Sequence, residues 1–407
     1  MNTICNISHN TSQKASIINK NWFLYAEMLF FILLNGSPIK VIFDYPLMIW
    51  ITFANLLVIF QTKLFHKLTE YVSIIIVLAI IMIVQQFVVE KPDPSSSWFL
   101  RIVYGGTVLT ILGERFRWFY LYILYQLSLL GLILWIIFAS TDIYISIIDT
   151  AEGVTGHSTH SLFIWGTHEE AIYAIHRNKG PFWEPGAYAC YLLLAFVLYF
   201  HDFSQQFKAH KFKFVILILS LLSTMSTTGY VVGMVLFIMI FIINRKFNIG
   251  FLAITTIISL GFIYIGNETG VLAEKIGEQL ETVDVSGEEY DKTRMAAFFF
   301  DLNKIAEHPL VGNGFNQDML WGAVLAAQME EGLVHKSGNG FTDVVKSLGI
   351  PFLFFWLFLF VRKNVHYLGE KQSALIILSI LLILQGECLF NYSLMCVFPF
   401  IDYKIQT

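Results

Sequence analysis

Apolar blocks of about 15–22 residues recur along this chain, long enough to cross a hydrocarbon core as helices. They run Trp22–Leu34, Val41–Phe60, Tyr71–Val89, Trp98–Leu112, Trp118–Ala139, Pro185–His201, Ile249–Ile265 and Phe341–Val361, and two shorter apolar stretches, Phe214–Leu222 and Tyr230–Ile243, flank the polar corner STMSTTG. A last apolar region, Ala374–Ile401, is interrupted at QGECLFNYS and reads as one long span or two short ones. A soluble chain of this length would carry about 25% charged residues. Here only 14% of 407 residues are charged and 56% are hydrophobic. The pattern predicts an all-α, polytopic helical bundle, with residues 1–407 forming one integral membrane domain.

Lysine and arginine collect in alternate connections, at 61–70, 114–117, 208–213, 245–246 and 362–371. The positive-inside rule places these on the cytoplasmic face together with the N-terminus, which carries Lys14 and Lys20. Two large loops, about 140–184 and 266–339, then fall on the external face. The second holds thirteen Asp/Glu against five Lys/Arg, a balance of −8. An acidic surface repels polyanions, so an anion bound there needs particular residues to hold it. No small-residue cleavage site follows the first apolar block, so that block reads as a retained span. The four cysteines include no CxxC pair, which argues against a disulfide framework or thiolate metal site. His157, His160, His168 and His176 crowd the first loop beside Glu169 and Glu170, but their spacing matches no zinc pattern, and no metal is expected.

Arg177 to Tyr191, RNKGPFWEPGAYACY, stands where the first loop re-enters the membrane. Two prolines restrict the backbone, two glycines permit close approach, and Trp183 and Tyr188 are residue types that settle at headgroup depth. Arg177 and Glu184 form the charged pair of this stretch. Arg294 opens an amphipathic stretch in the second loop that ends in HPLVGNGF, and His335 begins HKSGN just before the tenth span. An enzyme that breaks a sugar–diphosphate bond must neutralise its leaving group, and guanidinium matches two phosphate oxygens at once. The acceptor hydroxyl needs a base such as Glu or His. Glu184 reads either as that base or as a cap on the sixth span, and Arg177 reads either as a phosphate ligand or as an interfacial snorkelling side chain. Charges within apolar blocks are costly and mark Glu27, Asp44, Arg101 and Glu387. Asp44 and Arg101 lie near the external ends of their spans, and Glu387 has no evident role.

In their order, these features resemble the O-antigen polymerase and ligase family of bacterial membrane glycosyltransferases. The resemblance covers about 130–400. It rests on Arg177 with Gly180-Pro181-Phe182 and Glu184-Pro185-Gly186, the Ser/Thr-Gly corner at 223–229, and Arg294. His308-Pro309-Leu310-Val311-Gly312-Asn313-Gly314-Phe315 and Ser337-Gly338-Asn339 complete it. It implies a GT-C-like bundle of about 11–12 spans in the bacterial inner membrane, with its active-site loops periplasmic. It also implies transfer of glycan from one undecaprenyl diphosphate-linked chain to a hydroxyl of another lipid-linked repeat. No cofactor, metal or nucleic acid is implied. Expected partners are the lipid-linked repeats, membrane lipids and a chain-length regulator protein. Arg177 and Arg294 would hold the diphosphate, Glu184 or His335 would take the proton, and Tyr188, Asn313 and Asn339 would support the site. A ligase acting on lipid A-core is the alternative within the family. A transporter or flippase for a lipid-linked substrate is the alternative outside it.

Overall fold

The structure is a computed structural model that describes residues 20–37, 39–89, 97–141, 148–150, 159–161, 164–170, 175–243, 294–315 and 339–404. The described chain is mostly helical. The first five apolar blocks form α1 (Asn21–Leu34), α2 (Ile39–Gln61), α3 (Val72–Val88), α4 (Ser97–Leu112) and α5 (Phe116–Thr141). α6 (Pro185–Leu198) follows, with a proline in its first turn, where the lost N–H has no intrahelical acceptor. Then come the short α7 (Phe203–Ala209), α8 (Lys211–Ser223) and α9 (Thr227–Ile243). α10 (Arg294–Glu307) belongs to the second loop, and α11 (Gly340–Leu348), α12 (Ile350–Leu368), α13 (Glu370–Gly386) and α14 (Ser393–Val397) complete the chain. The expected ninth span, 249–265, lies outside the described residues.

The helical architecture expected from the sequence holds among the described residues, and the first loop adds a short four-stranded antiparallel meander to it. Its strands are β1 (Ile148–Thr150), β2 (Thr159–Ser161), β3 (Gly166–Glu170) and β4 (Ile175–Asn178), in that spatial order. The tenth block is not one helix: α11 and α12 meet at 114°. Gly349 makes the corner at φ +82°, and a Cβ there would stand 2.4 Å from the Leu310 carbonyl oxygen. The HPLVGNGF turn fills that corner, with Gly314 N–H donating to Ser347 O at 3.1 Å and Ile350 N–H to Pro309 O at 2.9 Å. Phe65–Val88 and Ser97–Phe138 are long and apolar enough to cross a membrane, and two bent pairs qualify only if each counts as one span. Among the described residues that gives two to four candidate spans. Helices of 14 to 17 residues, such as α1 and α9, fall below the roughly 20 needed to cross about 30 Å.

Ser97–Phe138 folds back at Gly113, so α4 and α5 form a hairpin. Trp98 stacks on Phe390, while Gly131 lies against Gly180, placing both far ends at one end of the bundle. The opposite end gathers the ion pairs Arg117–Asp202, Lys363–Glu70 and Lys404–Glu114. Between them lies a continuous aromatic and aliphatic core that includes Phe196, Phe214, Trp356 and Tyr403. Large apolar side chains also point outward from the helices, with Phe87 84% and Phe354 65% exposed. Such an outer surface is consistent with a membrane protein, since lipid can cover what water cannot.

Candidate functional site

The loop from β4 into α6 is clamped from three sides. Asn178, fully buried, donates to Ser223 Oγ at 2.8 Å and accepts from Gly180 N–H at 2.9 Å. Phe182 stacks on Tyr191, 4.2 Å between centroids. Trp183 donates its backbone N–H to Gly36 O at 3.0 Å and lays its ring on Tyr392 at 4.9 Å. The stretch singled out in the sequence is therefore a structured insert into the end of the bundle.

Arg177 pairs in register with His168 across β3 and β4. Its Nε donates to the Thr224 carbonyl at 3.1 Å, within the Ser/Thr corner between α8 and α9. Glu184 occupies the N-cap position of α6 with extended backbone, but its side chain makes no capping bond. Its Oε1 instead accepts from Trp183 Nε1 at 2.7 Å. The carboxylate thus points towards Trp183 rather than back over the helix end.

Two residues set aside in the sequence join it there. Glu387, buried at the break after α13, sits against the start of α6, so that a Cβ on Gly186 would be 2.1 Å from its Oε1. Arg101, in the second turn of α4, is also buried and donates from Nη2 to the Tyr45 hydroxyl at 3.4 Å. The charges of Arg101, Glu184 and Glu387 all act on the Tyr392 hydroxyl. Tyr392 itself stacks under Trp183, whose Nε1 holds Glu184, so the ring lies beside the loop that carries this carboxylate.

Lys179 completes the group of charges on this loop. It is fully buried, its Nζ has no hydrogen-bond partner, and burial pushes its pKa down to about 8. A buried ammonium without an acceptor is costly and marks a place where an anion would be welcome. In the sequence nothing distinguishes Lys179 from an ordinary loop lysine, and its burial is a tertiary property.

Of the other expected residues, only Tyr188, Asn313 and Asn339 have described side chains, and each has a structural role. Arg294 is the first residue of α10, and its side chain lies outside the described part. His335 and His157 lie outside the described residues altogether. Tyr188 is a core residue, fully buried, whose hydroxyl donates to Ser128 Oγ at 2.8 Å. Asn313 staples α10 to α11, donating from Nδ2 to Lys304 O and from its backbone to Lys346 O, both at 2.7 Å. Asn339 caps α11 by accepting from Thr342 N–H at 3.3 Å and donates to Gln385 at 2.8 Å. α10 is also held by a buried charge cluster. Lys346 lies 2.7 Å from Asp301 and 3.2 Å from Asp343, and Thr342 donates to Asp301 at 2.6 Å. Among the described residues no group of three His, Cys, Asp or Glu side chains is placed to hold a metal.

No family model matches the chain, and no curated protein matches it significantly.

Proposed function

We propose that this chain is an integral membrane glycosyltransferase of GT-C-like architecture that polymerises lipid-linked oligosaccharide repeats on the external face of the bacterial inner membrane. The observation that carries the reading is the docked β4–α6 loop, which puts Arg177, Lys179 and Glu184 into one bundle end beside Arg101 and Glu387. Cations there suit an undecaprenyl diphosphate leaving group, and carboxylates suit an acceptor hydroxyl. In the reaction, a hydroxyl oxygen of one lipid-linked repeat attacks the anomeric carbon of another chain. The bond from that carbon to the diphosphate oxygen breaks, and the configuration inverts. The hydroxyl proton passes to Glu184 or His335, and the diphosphate-lipid leaves against Arg177 and Arg294. A chain-length regulator protein is the partner this reaction calls for.

The glycan of a deletion strain tests the reading. Loss of all but one repeat supports a polymerase, polymer stranded on its carrier lipid supports a ligase, and unchanged glycan refutes both. Arg177→Ala should abolish the polymer ladder on a gel, and a full ladder would remove Arg177 from the diphosphate site. The 114° break between α11 and α12 favours a second reading, a transporter, since transporters build their sites at broken helices. Polymer formation by purified protein from a synthetic lipid diphosphate repeat would eliminate that alternative.

A further inference from the structure

Of the two buried arginines among the described residues, Arg117 is paired with Asp202 and Arg101 is not paired with a carboxylate. Its side chain is only 8% exposed, and its single hydrogen bond, to Tyr45, is long. A guanidinium carries five N–H donors in a rigid fork, and a buried one is normally paired with a carboxylate or several carbonyls. Arg101 forms no ion pair with any described residue, although Glu184 and Glu387 are close enough for all three to act on Tyr392. Its remaining nitrogens are not among the sealed, partnerless atoms of the core, unlike Lys179 Nζ. They keep a small opening to solvent. Glu184 is held instead by Trp183 Nε1, and Glu387 packs against the start of α6.

We infer that Arg101 is an anion-binding residue of this site, holding a phosphoryl group whose neighbouring hydroxyls meet Glu184 and Glu387. A guanidinium with free parallel donors fits two phosphate oxygens, and the flanking carboxylates accept hydroxyls but repel a bare polyanion. The ligand class is therefore a phosphoryl group attached to a hydroxylated moiety. Such a group is found in a lipid-linked sugar diphosphate and in a glycerophospholipid headgroup. The inference deepens the reading above, since it adds an arginine from α4 to a site otherwise built from the two loops.

The test uses the purified full chain in detergent, with a farnesyl diphosphate-linked sugar and phosphatidylglycerol micelles as separate probes. Binding is read by tryptophan fluorescence, which Trp183 stacked on Tyr392 should report. Arg101→Gln should weaken binding of at least one probe tenfold or more. Arg101→Lys should be intermediate, because it keeps the charge and loses the fork. Lys404→Gln, at the opposite end, should change nothing. Loss confined to the farnesyl diphosphate-linked sugar identifies a lipid-linked sugar diphosphate as the ligand, and loss confined to phosphatidylglycerol identifies a headgroup. Unchanged affinity for both in a folded Arg101→Gln protein overturns the inference. Should that variant not fold, phenylglyoxal labelling of Arg101 in the native chain decides the matter. Protection by either probe supports the inference, and protection by neither overturns it. The deletion-strain glycan is read independently. Normal glycan with an Arg101-dependent affinity ends the polymerase reading alone, whereas lost polymer with an Arg101-independent affinity ends this inference alone.

Discussion

Replacing Lys179 by methionine should stabilise the protein at neutral pH. The methionine stem fills much the same space without bringing a charge into a fully buried position. Burial holds the Lys179 amine at about 8 against an ordinary 10.5. Because the folded value is the lower one, this lysine contributes most favourably above about pH 10.5, where the amine is neutral in both states. That contribution declines as pH falls and is gone below about 8. At pH 7 the ammonium therefore costs the fold about 3 kcal/mol, and moving from pH 7 to pH 9 recovers about 1 kcal/mol. Purified wild type and Lys179→Met would be melted in the same detergent at pH 7 and pH 9. The variant should be the more stable at pH 7, and the gap should narrow at pH 9. A variant less stable at pH 7, or one keeping the wild-type change between the two pH values, would refute the reasoning.

Asp301→Asn should destabilise the protein by about 3 kcal/mol or more, because Lys346 is left buried beside Asp343 alone. The double variant Asp301→Leu, Lys346→Met should recover much of that loss in the same thermal melt, and no recovery would count against a desolvation penalty. Gly340→Ala should cost several kcal/mol, since its Cβ would lie 2.2 Å from the Glu387 backbone oxygen. Gly186→Ala meets the movable Glu387 carboxylate instead and should melt closer to wild type. Equal melting temperatures would show that the two glycines are not distinguished in this way.

Helices were the most legible part of the chain. Hydropathy located α1 to α6 nearly to their ends, because long apolar runs leave no alternative to helix. It failed at α11, where the apolar run from Phe341 continues straight through Leu348-Gly349-Ile350-Pro351. Hydropathy carries no backbone angle, and the 114° turn depends on a positive-φ glycine packed against a segment some forty residues earlier. The sheet in the first loop was invisible for a different reason. Strands of three to five residues with polar sequences such as THS and GTHEE are too short for a period of two to register. At the candidate site, glycine and proline frame Arg177 and Glu184 in the sequence and make them stand out. Arg101 and Glu387 stand out only as charges in apolar blocks. Their significance is a matter of where α4 and the break after α13 meet, which no local pattern encodes.

The stitches that hold the site end together also set the order in which it can be made. The Asn35 side chain accepts from Leu394 N–H, Gln85 reaches the Ser347 carbonyl, and Trp183 hangs from Gly36. Each joins an early helix to a segment synthesised much later, so the entropy of closing those long intervals is spent only at the finish. While the ribosome is still making the middle of the chain, the turn after α1 has no partner for its polar groups. The last twenty-odd residues act as a clasp, and a chain stopped at Gly386 would have most of its helices and no site.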